Sequence, residues 1–316
     1  MLRQEATVSQ ANRSSDDSVE EIDVALGFDV AYAPHAATVI VSLVRNAPGG
    51  RFRFLLLHTG VPASTRDLIE ATSLSSRFVW IEVRDQDLPA FANREWITRA
   101  TLFRLGLEHL APRNCHRVLY LDSDVVINGD IRALWNTDLR KYPIAAVTDI
   151  NVDAAAFGAR WKLDPPAPYF NAGVLLIDLD KVRREQSFLR TIEFFAKNNL
   201  ELMYSDQDAL NWAFWDNWLP LNPKWNVQRL SVIEANSKGS TTGGRLLKDA
   251  VVVHFTGSAK PWVAGSYHPW AWLYWSYLAR TPFFYEARRA SKISRGELWR
   301  VRLRWFRSRL KQQFAF

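Results

Sequence analysis

Two aspartates, Asp122 and Asp124, follow the apolar run RVLYL that begins at Arg117. Residues two apart in an extended segment point the same way. Paired carboxylates repel each other and are costly to bury unless something compensates their charge. A divalent cation does so, and Mg²⁺ or Mn²⁺ prefers oxygen ligands and keeps coordination positions for phosphate oxygens. Such an ion suits a nucleoside diphosphate leaving group. An Asp-Ser-Asp triplet alone also describes a solvated turn, so the metal reading needs partners. His254 ends a second apolar run, and a neutral imidazole can complete a carboxylate site. Three residues beyond it Gly257 allows close approach of backbone to a phosphate, and Lys260 supplies positive charge for a diphosphate. Asn171 and Gln207 offer both donors and acceptors, as sugar hydroxyls require. Asp149 or Asp206 could fix a hydroxyl's orientation. Asp206 equally suits a helix N-cap before DALNWAFW.

These residues need a scaffold that brings strand ends together. Short apolar runs at Ile22–Phe28, Phe52–His58, Phe78–Val83, Arg117–Leu121, Ile144–Thr148, Asn171–Leu179 and Val251–His254 read as strands. Helical spacing is expected over Ala36–Arg45, from near Pro62, over Ile97–Leu110, as one long helix over Asp180–Asn198, and over Asp206–Trp215. The alternation predicts an α/β domain with a mostly parallel central sheet and helices on both faces. Ligands of such sheets bind at the carboxyl ends of the strands. Asn151–Pro168, with three prolines, reads as a mobile loop, and Glu234–Arg245 as a flexible one. The latter lacks the Gly-Lys-Ser/Thr ending of a P-loop. Val251–His254 is expected to close the sheet.

Composition narrows the class. The formal net charge is +7, but Arg280–Phe316 holds eleven Lys or Arg against two Glu, which leaves the rest of the chain at about −2. The domain itself is therefore no basic nucleic-acid binder. In the tail, Leu298, Val301, Leu303, Trp305, Phe306 and Leu310 alternate with arginines. The pattern fits either an interfacial helix on an anionic membrane or a helix packed on the domain with a basic outer face. The single cysteine, Cys115, excludes an internal disulfide and reads as a packing residue. No run is apolar for long enough to span a bilayer. The first 21 residues lack a signal-peptide core and read as a disordered arm. Three parts result: the arm over 1–21, a catalytic domain over 22–279 and a basic, aromatic helical tail over 280–316. The expected location is cytoplasmic, with peripheral contact on the inner face of the membrane.

LDSDV after a strand, then FNAGVLLIDL, SDQDALN and HFTGSAKPW, in that order, resemble the retaining glycosyltransferases of family 8, which have the GT-A fold and include bacterial lipopolysaccharide galactosyl- and glucosyltransferases. The resemblance runs from about Ile22 to Trp262. It implies that Asp122, Asp124 and His254 bind Mn²⁺ (or Mg²⁺), that Ser123 shares the donor site, and that Gly257 and Lys260 hold the diphosphate of a UDP-sugar. It places Asp29 on the uracil with Tyr32 stacking nearby, although Ala31 stands where bacterial relatives often carry Asn. It puts Arg104 on donor phosphate or sugar, Asn171, Ala172, Gly173, Asp206 and Gln207 around the transferred hexose, and Asp149 near the acceptor. It implies transfer of glucose or galactose to a saccharide, a lipid-linked glycan or lipopolysaccharide. Retention would proceed by same-face attack, with Gln207 stabilising positive charge on the sugar, rather than through a covalent intermediate on Asp208. A metal-dependent nucleotide-sugar hydrolase or nucleotidyltransferase would share the aspartates. A non-catalytic glycan-binding module would suit the 14 tryptophans but would give the metal triad no role.

Overall fold

The computed structural model describes residues 20–88, 99–237 and 246–313. The expected arm lies outside the described residues apart from Glu20 and Glu21, as do 97–98 of the expected third helix and 238–245 of the Gly-containing loop. The strands are β1 (Glu21–Phe28), β2 (Arg51–His58), β3 (Arg77–Glu82), β4 (Arg117–Leu121), β5 (Val125–Ile127), β6 (Ile144–Thr148), β7 (Phe170–Asp178), β8 (Leu219–Pro220), β9 (Val227–Gln228) and β10 (Val252–His254).

Seven strands form one sheet in the order β3-β2-β1-β4-β7-β6-β8. The pairs β1–β2, β2–β3, β1–β4 and β6–β8 are parallel, while β7 runs antiparallel to β4 and β6. The sheet is buried on both faces, which is why its strands read as continuous apolar runs rather than alternating ones. Val24, Leu26, Leu119 and Leu121 point into one core, and Ala25, Val118 and Tyr120 into the other. The helix Ala33–Asn46 packs in the first core, and the helix Ser187–Asn198 closes the second with Phe188, Phe194 and Phe195. Cys115 is buried in the second core, and burial pushes its thiol up to about 12, so it is a packing residue. This is the α/β, GT-A type architecture that the sequence predicts.

The connections depart from expectation in four places. Residues after β4 do not continue that strand: Asp122-Ser123-Asp124 turns the chain into β5, which pairs antiparallel with β10. Val251–His254 therefore does not close the main sheet but sits in a small sheet of order β5-β10-β9. The expected loop at 151–168 contains the helix Ala154–Trp161, capped by Asp153, whose carboxylate accepts from the Ala156 N–H. The single helix expected over 180–198 is two, Leu179–Glu185 and Ser187–Asn198, because Gln186 adopts a left-handed backbone at φ 50°. The segment from Arg99 to Gly106 is a 3₁₀ helix followed by one α turn, Leu107–Leu110.

The last helix, Arg295–Gln313, lies against the helix Ala271–Leu278. Leu298, Val301 and Trp305 pack on the first core, and Ser308 accepts a hydrogen bond of 3.0 Å from the fully buried Trp270 indole. Trp270 and Trp275 are among the largest wholly enclosed side chains, so part of the tryptophan excess serves packing. Trp299, Phe306 and Leu310 remain exposed on another face. Among the described residues no helix is long and apolar enough to cross a membrane.

Candidate active site

The strand order reverses between β1 and β4: the chain builds outward through β2 and β3, then returns to place β4 on the other side of β1. Such a switch point leaves a crevice at the strand ends. The ends of β1, β4 and β6, the start of the antiparallel β7 and the end of β10 all face it. The small sheet aims β10. His254 pairs with Val125 in register, and the Phe255 N–H donates to the Asp124 carbonyl at 3.0 Å. A histidine more than a hundred residues downstream is thereby fixed beside the aspartates.

Asp122, Asp124 and His254 converge with their ligand atoms within 4.8 Å of one another. His254 Nε2 lies 3.1 Å from Asp124 Oδ1 and 3.8 Å from Asp122 Oδ2. Asp124 Oδ1 is buried and, despite that approach, has no partner in hydrogen-bonding geometry. Two carboxylates and an imidazole nitrogen around an unsatisfied buried oxygen fit a divalent cation of the Mn²⁺ or Mg²⁺ kind. The site depends on Gly173. A Cβ there would stand 2.2 Å from His254 Cε1 and 2.8 Å from Asp122 Oδ2, so any side chain would evict the histidine.

Two cations hold the aspartates. Lys260 bonds Asp124 Oδ2 and donates to the Phe255 carbonyl at 2.8 Å. Burial alone would raise the Asp124 carboxyl, but Lys260 and then His254 hold it well below the usual carboxylate range. Arg104 is buried. It donates to the Ala172 carbonyl at 2.5 Å and stands 3.3 Å from Asp122 and 2.7 Å from Asp206. Burial works against its charge, yet Asp122 and Asp206 keep its pKa above the ordinary arginine value. Asp206 is pushed up to about 6, chiefly by burial, with Arg104 opposing and Asp122 adding. Asp206 is not the N-cap: Ser205 holds that position, and Asp206 is the first residue of the helix Asp206–Ala213, turned toward Arg104.

The aspartate pair divides the crevice. On one side is a cavity of about 310 Å³ lined by Phe28, Tyr32, Ser123, Gly257, Lys260 and Trp262 among others. Ser123 donates to the Gly27 carbonyl, and Gly257 takes φ +77°, a conformation that favours glycine. Tyr32 meets Trp262 edge-on at 6.0 Å, and Trp262 stacks on His35 at 3.6 Å. Burial drops His35 to about 3, so this wall is uncharged and aromatic. Asp29 caps the turn Val30–Tyr32 by accepting from the Tyr32 N–H at 3.0 Å, while Phe28 and Tyr32 on either side of it line the cavity. On the other side is a cavity of about 540 Å³ lined by Asp149, Asn171, Asp206 and Gln207. Asp122, Asp124, Arg104 and Gly257 border both.

The second cavity's polar wall is a connected network. Asp149 Oδ2 accepts from Asn171 Nδ2 at 3.0 Å and Gln207 Nε2 at 3.2 Å, and Asp149 Oδ1 accepts from Asn151. Gln207 Oε1 accepts from the Ala172 N–H at 3.0 Å. Asp208 accepts from Tyr169 at 2.5 Å and from the Tyr204 N–H at 2.9 Å.

Tyr32, Arg104, Asp122, Ser123, Asp124, Gly257 and Lys260 on one side and Asp149, Asn171, Asp206, Gln207 and His254 on the other thus line one crevice, with Asp29 at its margin, while Ala172 and Gly173 stand behind the wall against Gln207 and His254. Three contributors lack any sequence signal of their own. Tyr120 donates to Asp122 Oδ1 at 2.9 Å and stacks under Arg104, Tyr169 holds Asp208, and Asn226 bonds His254. Tyr120 reads as one more apolar strand residue, and Asn226 as one loop polar residue among many.

The family model for glycosyl transferase family 8 matches residues 23–265. The chain belongs to glycosyltransferase family 8. It is 28% identical over 264 residues to General stress protein A of Bacillus subtilis strain 168, covering 80% of this chain and 91% of that protein. It is 27% identical over 259 residues to the lipopolysaccharide 1,2-glucosyltransferase of Escherichia coli K12, covering 80% and 74%. The solved galactosyltransferase LgtC, in complex with donor and acceptor sugar analogues, superposes with a TM-score of 0.73 at 26% identity, over 85% of this chain and all of that one. As a family 8 glycosyltransferase the chain uses a nucleotide-sugar donor and a saccharide acceptor.

Gly173 gives a direct test of the site's geometry. Gly173→Ala should leave the fold intact by circular dichroism, yet weaken Mn²⁺ binding by about 10–100-fold, the range seen when a ligand loses its support. Unchanged Mn²⁺ affinity in that variant would mean that His254 is not a ligand.

Proposed function

We propose that this glycosyltransferase moves a hexose, glucose or galactose, from a UDP-sugar to a saccharide acceptor of the lipopolysaccharide or another surface-glycan class, with retention of configuration. The observation that carries this reading is the convergence of Asp122, Asp124 and His254 with Lys260 on the border of two cavities. The smaller cavity, with its aromatic wall, suits a nucleoside. The larger, walled by amide and carboxylate groups, suits a sugar and the acceptor hydroxyl. Asp122, Asp124 and His254 would hold a divalent cation, with Mn²⁺ favoured over Mg²⁺ by the imidazole ligand. When bound, that ion supplies Lewis-acid charge to the departing diphosphate.

In this reading Lys260 and Gly257 receive the diphosphate, with Ser123 beside them, and Asp29 and Tyr32 frame the base. Arg104 anchors Ala172 and so sets the floor beneath the hexose. Asp149, Asn171 and Asp206 orient sugar and acceptor hydroxyls. The acceptor proton passes to the leaving diphosphate. Gln207, pinned by Ala172 and Asp149, presents its amide dipole to the developing positive charge on the sugar. Same-face attack is supported by how the carboxylates are engaged. Asp208, the expected rival nucleophile, is buried and tied to Tyr169 and Tyr204, and Asp206 is held against Arg104. A carboxylate so engaged is a poor nucleophile.

The test is UDP release from UDP-glucose and UDP-galactose with Mn²⁺, with and without oligosaccharide, and proton NMR of the first product. Acceptor-stimulated release, an α-linked product and a loss of at least about 100-fold in kcat for Asp124→Asn are expected. Release indifferent to acceptor would mark a hydrolase, and a β-linked product would overturn retention.

We further read residues 22–279 as the catalytic unit and 280–316 as a tail that meets the inner face of the cytoplasmic membrane. Trp299, Phe306 and Leu310 recur seven and four residues apart, so they share one helix face, opposite in sense to the face packed on the core. Arginines flank this stripe, as on interfacial helices. Replacing all three by Ala should leave folding unchanged and weaken sedimentation with phosphatidylglycerol vesicles at least about tenfold. Equal binding by wild type and variant would remove the membrane role.

A further inference from the structure

Asn226 belongs to no strand-end motif, yet it occupies a closely constrained position. It precedes β9 and is only 2% exposed. Its amide Nδ2 donates to Asn171 Oδ1 at 2.8 Å, and its Oδ1 faces His254 Nδ1 at 3.0 Å. The ends of this chain of bonds fix which way each group points. Asp149 carries a carboxylate that only accepts, so Asn171 must present Nδ2 to it, as the 3.0 Å contact has it. The Gly173 backbone N–H, a donor with no alternative, meets Asn171 Oδ1 at 3.1 Å and fixes the same orientation independently. Asn171 Oδ1 can then only accept from Asn226 Nδ2. Asn226 Oδ1 is left to accept from His254, so Nδ1 must carry a proton. Four side chains, none more than 6% exposed, form this line.

We propose that Asn226 is a positioning residue that fixes a proton on His254 Nδ1, keeps Nε2 turned to Asp122 and Asp124 as a ligand atom, and ties the cation site to Asn171 and Asp149 in the second cavity. The proposal rests on the assignment of Asp122, Asp124 and His254 as cation ligands. Its physical content is that an imidazole binds a cation through one nitrogen only if the other holds the proton, and that the partner of the second nitrogen decides which is which. Without Asn226, Nδ1 would face the slot occupied by no acceptor, and the ring would be free to place its proton on Nε2, where it blocks coordination. The link to Asn171 means that the same asparagine also holds the amide that borders the sugar cavity.

The experiment uses the full-length protein, with Mn²⁺ as the probe. Free-ion EPR measures Mn²⁺ affinity, and nitrogen-15 spectra of histidine-labelled protein, loaded with diamagnetic Mg²⁺ at pH 8, report which ring nitrogen of His254 is protonated. Wild type should bind Mn²⁺ and show a protonated Nδ1 and a bare Nε2. Asn226→Leu, which removes both bonds, should bind Mn²⁺ about 10–100-fold more weakly and lose the single-tautomer signature, with a melting curve to confirm folding. Asn226→Asp keeps an acceptor for Nδ1–H and loses the donor to Asn171. It should restore most of the Mn²⁺ affinity and the tautomer while raising the donor-sugar KM. A wild type that binds no Mn²⁺ overturns the cation assignment and this proposal with it. Wild-type binding with equal affinity in Asn226→Leu, or an unprotonated Nδ1 in wild type, overturns the role of Asn226 alone.

Discussion

Asp122 and Asp124 repel each other, and nearly everything around the crevice answers that repulsion. Arg104 is drawn into the protein against Asp122, at the cost of burying a guanidinium, and Asp206 accompanies it as a second counter-charge. Lys260 reaches across from the β10 segment to Asp124. A buried charge is tolerable only when paired and hydrogen-bonded, so these partners hold the aspartates in place and also set their field. The same field suits a divalent cation and a diphosphate, whose charges would meet groups that are already fixed.

The fold supplies the fixing. β1 and β4 lie side by side at the reversal of strand order, and β7 runs antiparallel, so its beginning, not its end, arrives at the crevice. That is why Asn171, Ala172 and Gly173, at the start of a strand, share a site with residues at the ends of others. The small sheet of β5, β10 and β9 does the complementary work by locking His254 to Val125. Gly173 is the clearance between the two halves.

Much of this was legible in the sequence. The apolar runs marked the strands because a sheet buried on both faces demands them, and RVLYLDSD put the carboxylates at a strand end. The parts that were not legible have physical reasons. Val251–His254 is apolar whichever sheet it joins, and only the antiparallel pairing with β5 decides. The break at Gln186 is a backbone conformation that a glutamine seldom adopts and no spacing announces. The helix Ala154–Trp161 sits among prolines that suggest a loop. Asn226 carries no motif, since its role depends on groups from β7 and β10 that meet only after folding. In the tail, the composition could not separate a packed helix from an interfacial one, and the structure shows why: Leu298, Val301 and Trp305 are turned inward while Trp299, Phe306 and Leu310 are turned outward.

Anomalous diffraction at the manganese edge, from crystals soaked with Mn²⁺ and UDP, shows whether one cation joins the two halves of the crevice through Asp122, Asp124 and His254. A single strong peak in contact with both aspartates and with Nε2 of His254, with the diphosphate bound beside Lys260, is the expected result. A peak that excludes His254, or UDP bound in the crevice with no ion between these residues, would contradict it.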